Sequence, residues 1–477
     1  MKKKPKAPKP QTGSKRTPSL KAATVTTGSS SKWIRIERPI HFPVYVKAAV
    51  QKLDDAGHVA YVVGGSVRDH FLGRESKDHD IATSAHPDEL CELFPDAVTV
   101  GKAFGVIKVP IPAGRFLEVA TFREDLEYKD FRHPKKVRFS GVSEDASRRD
   151  FTMNALYYDL KTQRVFDPTD GLKDIRDSVV RAIGNPVARF REDALRLLRG
   201  VRFTVNLGFN LEPETSMGIS VCAKLITRVS LERIRDELTQ MWVGRSPASA
   251  VELLSKLGLL VQVLPEIEQQ KGIKQPQIHP EEDVWSHTIR VLKMLGEQTK
   301  SRSLTLAWAA VLLNVGKPIC SRRSQGKNFN GHEIEGTRIT GLVGARMKLS
   351  RDEINQVTSL VGEQLKFRDV FKMRESTFLR FIGQPDFQEH LALHRAEASA
   401  SDGNLAFYEF CSSRLKSLKL EPPDSQKLID GKDLIQLGLF PGPHFTEILR
   451  TIEDLAMEKK LKSKEDALEY VVKHFVR

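Results

Sequence analysis

Two aspartates one residue apart, Asp78 and Asp80 in KDHDIAT, carry the clearest chemical signal in this chain of 477 residues. On a strand, residues i and i+2 point to the same face. Asp78 and Asp80 would then stand side by side, an arrangement that repels unless a cation lies between them. Hard oxygen ligands of this kind suit Mg²⁺, which binds through one or two carboxylates together with substrate phosphates. An isolated Asp-x-Asp is commonly a solvated loop pair, but this one follows Gly64-Gly65 in YVVGGSVRDHFLG. There an apolar run, Val59 to Val63, delivers the chain into a turn without side chains, and SVRDHFL opens a helix. Backbone N–H groups at such a turn can approach a polyphosphate, and a helix start favours anions. Taken alone, a Gly-Gly turn is more often structural. Glu118, between Leu117 and Val119 in FLEVATFR, faces away from its apolar neighbours. It is either a third carboxylate completing a two-metal phosphoryl-transfer site or a surface strand residue.

A second constellation lies in REDALRLLRGVRF. Asp193 and Arg196 are three residues apart and would share one helix face, with Arg199 and Arg202 continuing the row, while Ala194, Leu195, Leu198 and Val201 cover other sides. A carboxylate acceptor beside guanidinium donors can match the hydrogen-bonding edge of a base. The plainer alternative is an ion pair on a solvated helix.

The elements that must position these groups read as mixed α and β up to Gly171: a helix over Tyr45 to Ala56, then strands at Val59–Val63, Val106–Ile111, Phe116–Ala120 and Leu156–Leu160. Beyond Gly171 strand signals fade, and Asp193–Phe203, Leu231–Val243, Ala248–Leu257 and Leu304–Leu313 have helical spacing. The expected class is α+β, a head followed by a long helical body. The net charge of +14 comes from 75 Lys plus Arg against 61 Asp plus Glu. Nine of the cations fall at positions 2 to 32, ahead of the first acidic residue Glu37, so the body carries only 14 − 9 = +5. That Lys-, Pro- and Ser-rich stretch reads as a disordered basic tail, either a salt-dependent aid to holding a phosphate backbone or a solubilising extension.

No apolar run approaches the ~18 to 20 residues that span a bilayer; the longest, Leu304 to Val315, contains Trp308 and Asn314. No membrane association is expected. Cys91, Cys222, Cys320 and Cys411 are far apart, which disfavours a disulfide framework and a zinc knuckle and fits a reducing cytoplasm. The basic start lacks the apolar segment of a secretory signal.

GGSVRDHFLG, KDHDIAT, LEVATFRED, RRDFTMNAL, DPTDGLKDI, REDALRLLRGVRF and SLERIRDEL occur in that order between about residues 60 and 240. In sequence and order they resemble the motifs of class II tRNA nucleotidyltransferases and bacterial poly(A) polymerases. The resemblance implies a polymerase-β-like nucleotidyltransferase head followed by an all-helical neck, body and tail, with expected divisions at 1–32, 33–172, 173–265 and 266–477. It implies Mg²⁺ on Asp78 and Asp80 with Glu118 as the third acidic group, triphosphate contacts from Gly64, Gly65 and Arg68, and ribose recognition by Arg149, Asp150 and Asn154. It further implies a hinge over Asp167 to Asp174. Asp193 and Arg196 would template incoming CTP or ATP, assisted by Arg199 and Arg202. The expected partner is the 3′ end of tRNA or another RNA, and CCA addition is the expected activity. A-only addition and poly(A) synthesis remain open on the same active site, as does the oligomeric state. The polar segment 123–148 has full length for the family, which implies that A can be added.

VWSHTIRVLKML, AWAAVLLNVGKP, GHEIEGTRI and HRAEASASDG resemble a metal-dependent phosphohydrolase module in degenerate form. Leu313 and Asn314 stand where an adjacent His-Asp pair would ligate metal, and Glu397 where Asp is usual. Hydrolase chemistry is therefore expected to be lost, leaving His287 and His332 as remnants or structural groups. The basic runs 414–419 and 459–464 would contact RNA or form a solvated helical face.

Overall fold

The computed structural model describes residues 32–76, 78–128, 134–275, 279–420 and 428–476, and its described residues divide into two compact units. The first runs to Glu192 and includes Phe209–Thr215; the second holds Asp193–Gly208 and continues from Ser216. The expected hinge at 167–174 therefore lies inside the first unit, as does 173–192, which the sequence reading placed in the neck. Most of the expected tail falls outside the described residues, but Lys32 is tied in: its carbonyl accepts from the Asp167 N–H and its ammonium reaches the Pro168 carbonyl at 2.6 Å.

In the first unit the elements are β1 (Trp33–Arg35), α1 (Val44–Asp55), β2 (Ala60–Val63), α2 (Gly65–Phe71), β3 (Asp80–Thr83), α3 (Pro87–Leu93), β4 (Val106–Ile111), β5 (Arg115–Thr121), β6 (Arg123–Tyr128), β7 (Pro134–Phe139), α4 (Val142–Ser147), β8 (Tyr157–Asp159), β9 (Arg164–Phe166), α5 (Gly171–Asp177), β10 (Val179–Val180) and α6 (Pro186–Glu192). Seven strands form one mixed sheet in the order β1-β9-β8-β2-β3-β5-β4, in which only β3 and β5 are parallel. Val62, Ile81, Val119 and Ile107 are fully buried on it, as expected of β-branched side chains in covered strands. Val63, Ala82, Ala155, Tyr157 and Phe166 form a second cluster with Ala146 of α4.

The described residues of segment 123–148, which the sequence marks as polar loop, instead form the antiparallel β6–β7 pair followed by α4. Alternating Arg, Glu, Asp and Lys obscured it, because charged two-stranded ribbons lack the apolar alternation that marks a half-buried strand.

In the second unit α7 covers Leu195–Leu207. The short β11 (Asn210–Leu211) pairs with β10 within the first unit, and after α8 (Pro213–Cys222) the described residues of the second unit are mainly helical, through α9 (Leu231–Trp242) and α10 (Pro247–Lys256) and on to 464–475. A short antiparallel pairing of Lys274–Gln275 with His279–Asp283 is an exception the sequence did not signal. Helix 304–312 is buried from Thr305 to Leu312, and Trp308 meets Trp242 edge to face at 6.3 Å. The stretch Leu304–Arg323 is long and apolar enough to cross a bilayer, which the sequence did not suggest, but 89% of its most apolar 18 residues are buried inside the protein. It is a core segment.

Gly171 shows how tightly the chain turns before α5. A Cβ there would meet the Thr152 carbonyl oxygen at 2.2 Å, so Gly171→Ala requires the backbone to move. We expect a loss of about 1–3 kcal/mol in urea unfolding; an unchanged midpoint would contradict the packing described here.

Candidate active site

Strand register assembles the head residues. Val63 is paired with Tyr157 on one side and Asp80 on the other; Asp80 is paired with Glu118, and Glu118 with Lys108. One level of the sheet thus carries Tyr157, Val63, Asp80, Glu118 and Lys108 across five neighbouring strands about 4.8 Å apart. Asp80 opens β3, whereas Asp78 lies in the preceding loop rather than on the strand. The alternation nevertheless persists. Asp78 is exposed and Asp80 half-buried, while His79 between them turns inward against Phe42 at 5.7 Å. Burial lowers the His79 pKa despite the neighbouring Asp78.

Glu118 is exposed and paired with Lys108, Oε1 to Nζ 3.0 Å. Among the described residues no group of three or more His, Cys, Asp or Glu is close enough to hold a metal ion. Asp78 and Asp80 fit a hard divalent cation only in the two-carboxylate manner, with substrate oxygens supplying the remaining ligands. The room for such a ligand comes from Gly64, whose φ of 78° and ψ of −135° is a conformation readily adopted by glycine alone. A Cβ there would sit 3.6 Å from both Asp80 Oδ2 and Arg149 Nη1. Gly65 starts α2, but that helix has only seven residues, so backbone approach at Gly64 matters more than its dipole.

Around this turn the polar groups interlock. Arg68, 8% exposed, donates from Nη1 to Asn154 Oδ1 at 2.7 Å and from Nε and Nη2 to Asp69 at 2.9 and 2.7 Å. Asn154 Nδ2 donates to Asp150 Oδ1 at 3.1 Å, and that oxygen also accepts from the Phe151 N–H at 2.8 Å. Asp150 and Asn154 are both buried. Arg149 donates from Nε to the Tyr157 hydroxyl at 2.8 Å and from Nη2 to Asp145 at 3.3 Å, while Tyr157 donates to Asp145 at 2.6 Å. Burial would lower the Arg149 pKa, but Tyr157, Asp145 and Asp80 outweigh it and hold the guanidinium protonated. Burial would raise the Asp145 carboxyl; Arg149 and Arg148, with the Tyr157 hydroxyl, bring it below its ordinary value. Asp145, Tyr157 and Lys108 were not among the expected site residues. Asp145 and Tyr157 flank RRDFTMNA closely enough in sequence to have been suspected.

In the second unit Asp193 precedes α7 rather than lying in it. Its Oδ1 accepts from the Leu195 N–H at 3.0 Å and its Oδ2 from Arg233 Nη2 of α9 at 3.0 Å. The expected shared helical face with Arg196 is therefore replaced by a turn pinned from α9. Arg196 is 8% exposed. Arg202 donates to Glu237 of α9 at 2.6 Å, and Arg199 lies 3.9 Å from the same carboxylate, so both also bind α7 to α9. Arg233 and Glu237 stand in SLERIRDEL, but their partners lie 35 to 40 residues away, a pairing that spacing does not reveal.

Leu313 and Asn314 are buried, and Asn314 Nδ2 donates to Thr288 Oγ1 at 3.0 Å. The fully buried His287 lies 3.8 Å from Glu397.

A mixed sheet bearing an aspartate pair behind a glycine turn, with buried arginines beside it, defines a nucleotidyltransferase head. The family model described as poly A polymerase head domain matches residues 60–181, and one described as probable RNA and SrmB- binding site of polymerase A matches 208–271. The chain belongs to the CCA-adding enzyme family: it is 32% identical over 435 residues to the CCA-adding enzyme of Lactobacillus helveticus, covering 89% of this chain and 96% of that one. It is also similar to the crystal structure of a Bacillus stearothermophilus CCA-adding enzyme in complex with CTP, at 26% identity and TM-score 0.69 over 91% of this chain and 98% of that one. A Thermotoga maritima CCA-adding enzyme complexed with tRNA shares the fold at 18% identity and TM-score 0.58, over 91% and 96% of the two chains.

The Tyr157 hydroxyl bridges Arg149 and Asp145, which also meet directly at 3.3 Å, while Arg148 donates to the other Asp145 oxygen at 2.6 Å. Tyr157→Phe is expected to destabilise the head by about 1–3 kcal/mol in chemical denaturation. Because the folded pKa of Asp145 is depressed, its contribution is present above its unfolded value near ~3.9 and is lost as pH falls through the lower folded value. The stability gap between wild type and Asp145→Asn should therefore shrink as unfolding is measured from pH 6 down toward pH 3. A gap that widens would reverse the assigned sign.

Proposed function

We propose that the protein is a CCA-adding tRNA nucleotidyltransferase, joining CTP and ATP to the tRNA 3′ end with release of pyrophosphate. The observation that carries this is full-length relationship: 96% of the L. helveticus CCA-adding enzyme aligns with this chain. Poly(A) synthesis on the same head is the alternative that the test below addresses.

The tRNA 3′-hydroxyl oxygen attacks the α-phosphate of the bound nucleotide, the bond to the β-phosphate breaks, and pyrophosphate carries away the leaving charge. In our reading Asp78 and Asp80 would hold Mg²⁺, which would supply acidification of the attacking hydroxyl and neutralisation of phosphate charge. Glu118, paired with Lys108 at 3.0 Å, would be the third acidic group at the same sheet level. Gly64 and Gly65 would admit the triphosphate to the backbone, and Arg68 would face its charge as a fixed guanidinium donor. Arg149, Asp150 and Asn154, the last two locked to each other and to Arg68, would recognise the ribose. Asp193 and Arg196 present acceptor and donors to the edge of the base, with Arg199 and Arg202 in support. Specificity then rests on the rigidity of the turn at Asp193, which Arg233 maintains.

Incubation with a tRNA transcript lacking CCA, with each nucleotide alone and with CTP and ATP together, tests the activity. Two C additions followed by one A are expected, and a long A ladder on arbitrary RNA would contradict the reading. Arg233→Gln is expected to loosen Asp193 and reduce discrimination of CTP over UTP by about tenfold, ~1.4 kcal/mol. Undiminished discrimination would remove Arg233 from this role.

A further inference from the structure

The second unit contains a cavity of about 280 Å³ that no step of nucleotide addition uses. Its lining combines two cations, Lys317 and Arg368, with Glu333, Glu397, Asn314 and His394. Lys317, on helix 317–323, is only 5% exposed. Its Nζ donates to the neutral Gln275 Oε1 at 2.9 Å and lies over the Phe329 ring at 5.6 Å. No carboxylate is within ion-pair distance of Lys317 or Arg368 among the described residues. An ammonium buried without a counter-ion is costly. Here burial brings its pKa down to about 8, opposed by Glu397 and aided to a smaller extent by Arg368.

A third donor position lies on the same wall. His394 is 5% exposed, is stacked flat on Phe367 at 4.0 Å, and its Nε2 has no hydrogen-bond partner. Burial and Arg368 push its pKa down to about 4, so it is a neutral imidazole able to donate one hydrogen bond. Two cations and a neutral donor from separate segments suit a tetrahedral dianion better than a planar carboxylate, which needs one fork of donors. The cavity offers about nine times the ~30 Å³ that a water occupies in the liquid, so it has room for more than the anion. Leu313, Val361 and Leu365 supply an apolar wall. Glu333, whose Oε2 lacks a hydrogen-bond partner, and Glu397, which accepts from Ser401 Oγ at 3.0 Å, supply acceptors for hydroxyl groups.

We propose that this cavity is a binding site for a small phosphate monoester carrying hydroxyl groups, with the phosphate held by Lys317, Arg368 and His394 and the hydroxyls by Glu333 and Glu397. All the residues that form it belong to the second unit. The site is therefore separate in composition from the Asp78–Asp80 centre.

Ribose 5-phosphate is the probe, since it has no base for the nucleotide site to read. Isothermal titration of the full chain should show binding of ribose 5-phosphate, weaker binding of inorganic phosphate and none of ribose. Arg368→Gln changes an exposed side chain and is expected to weaken ribose 5-phosphate by at least about tenfold, as is Lys317→Met. Absence of binding to the wild type would overturn the proposal. So would affinity unchanged in Arg368→Gln, or affinity unchanged there but lost in Arg149→Ala, which would place the ligand in the head.

Discussion

The head depends on the register of one short strand. Val63 is hydrogen-bonded between β8 and β3, and this places Tyr157 and Asp80 on either side of the chain just before it turns at Gly64. A slip of one residue would send Asp80 to the opposite face and bring His79 or Ile81 to the glycine turn. The burial of Val62 and Ile81 on one side and of Val63 and Ala82 on the other opposes that slip, because exchanging faces would require repacking both layers. Apolar strand packing thus positions a group of carboxylates whose mutual repulsion would otherwise drive them apart.

Around that register, buried polar pairs do the positioning that apolar contacts cannot. Arg149 is held by Tyr157 and Asp145, Arg68 by Asn154 and Asp69, and Asp193 by Arg233. These three groups, proposed to meet substrate, thus each already have an oriented partner. Such preorganisation reduces the ordering that substrate must drive. The same logic distinguishes the cavity around Lys317, where a buried cation has only a neutral partner.

Much of this was legible in the sequence because the signals were local. Asp78-x-Asp80 after Gly64-Gly65 and the apolar strands around them are short-range patterns, and the motif order between residues 60 and 240 tied them to a family. What escaped reading involved distance or charge. The β6–β7 pair is built from charged residues without apolar alternation. Asp193 stands ahead of the helix that spacing assigned to it, its carboxylate held by the Leu195 N–H and by Arg233, 40 residues on. Lys108 meets Glu118 only through antiparallel pairing of β4 with β5. Lys317 is an unremarkable Gly-Lys-Pro in sequence, and only burial gives it chemical character.

The central claim is a division of labour: Asp78 and Asp80 drive the chemical step for every nucleotide, whereas Asp193 and Arg196 choose the base. Single-turnover extension of tRNA by Asp80→Asn, with CTP and ATP measured separately at saturating concentrations, tests it most directly. The account predicts that both rates fall together by at least ~10²-fold, with the CTP-to-ATP rate ratio preserved. Loss confined to one nucleotide, or a near-normal rate for both, would contradict it.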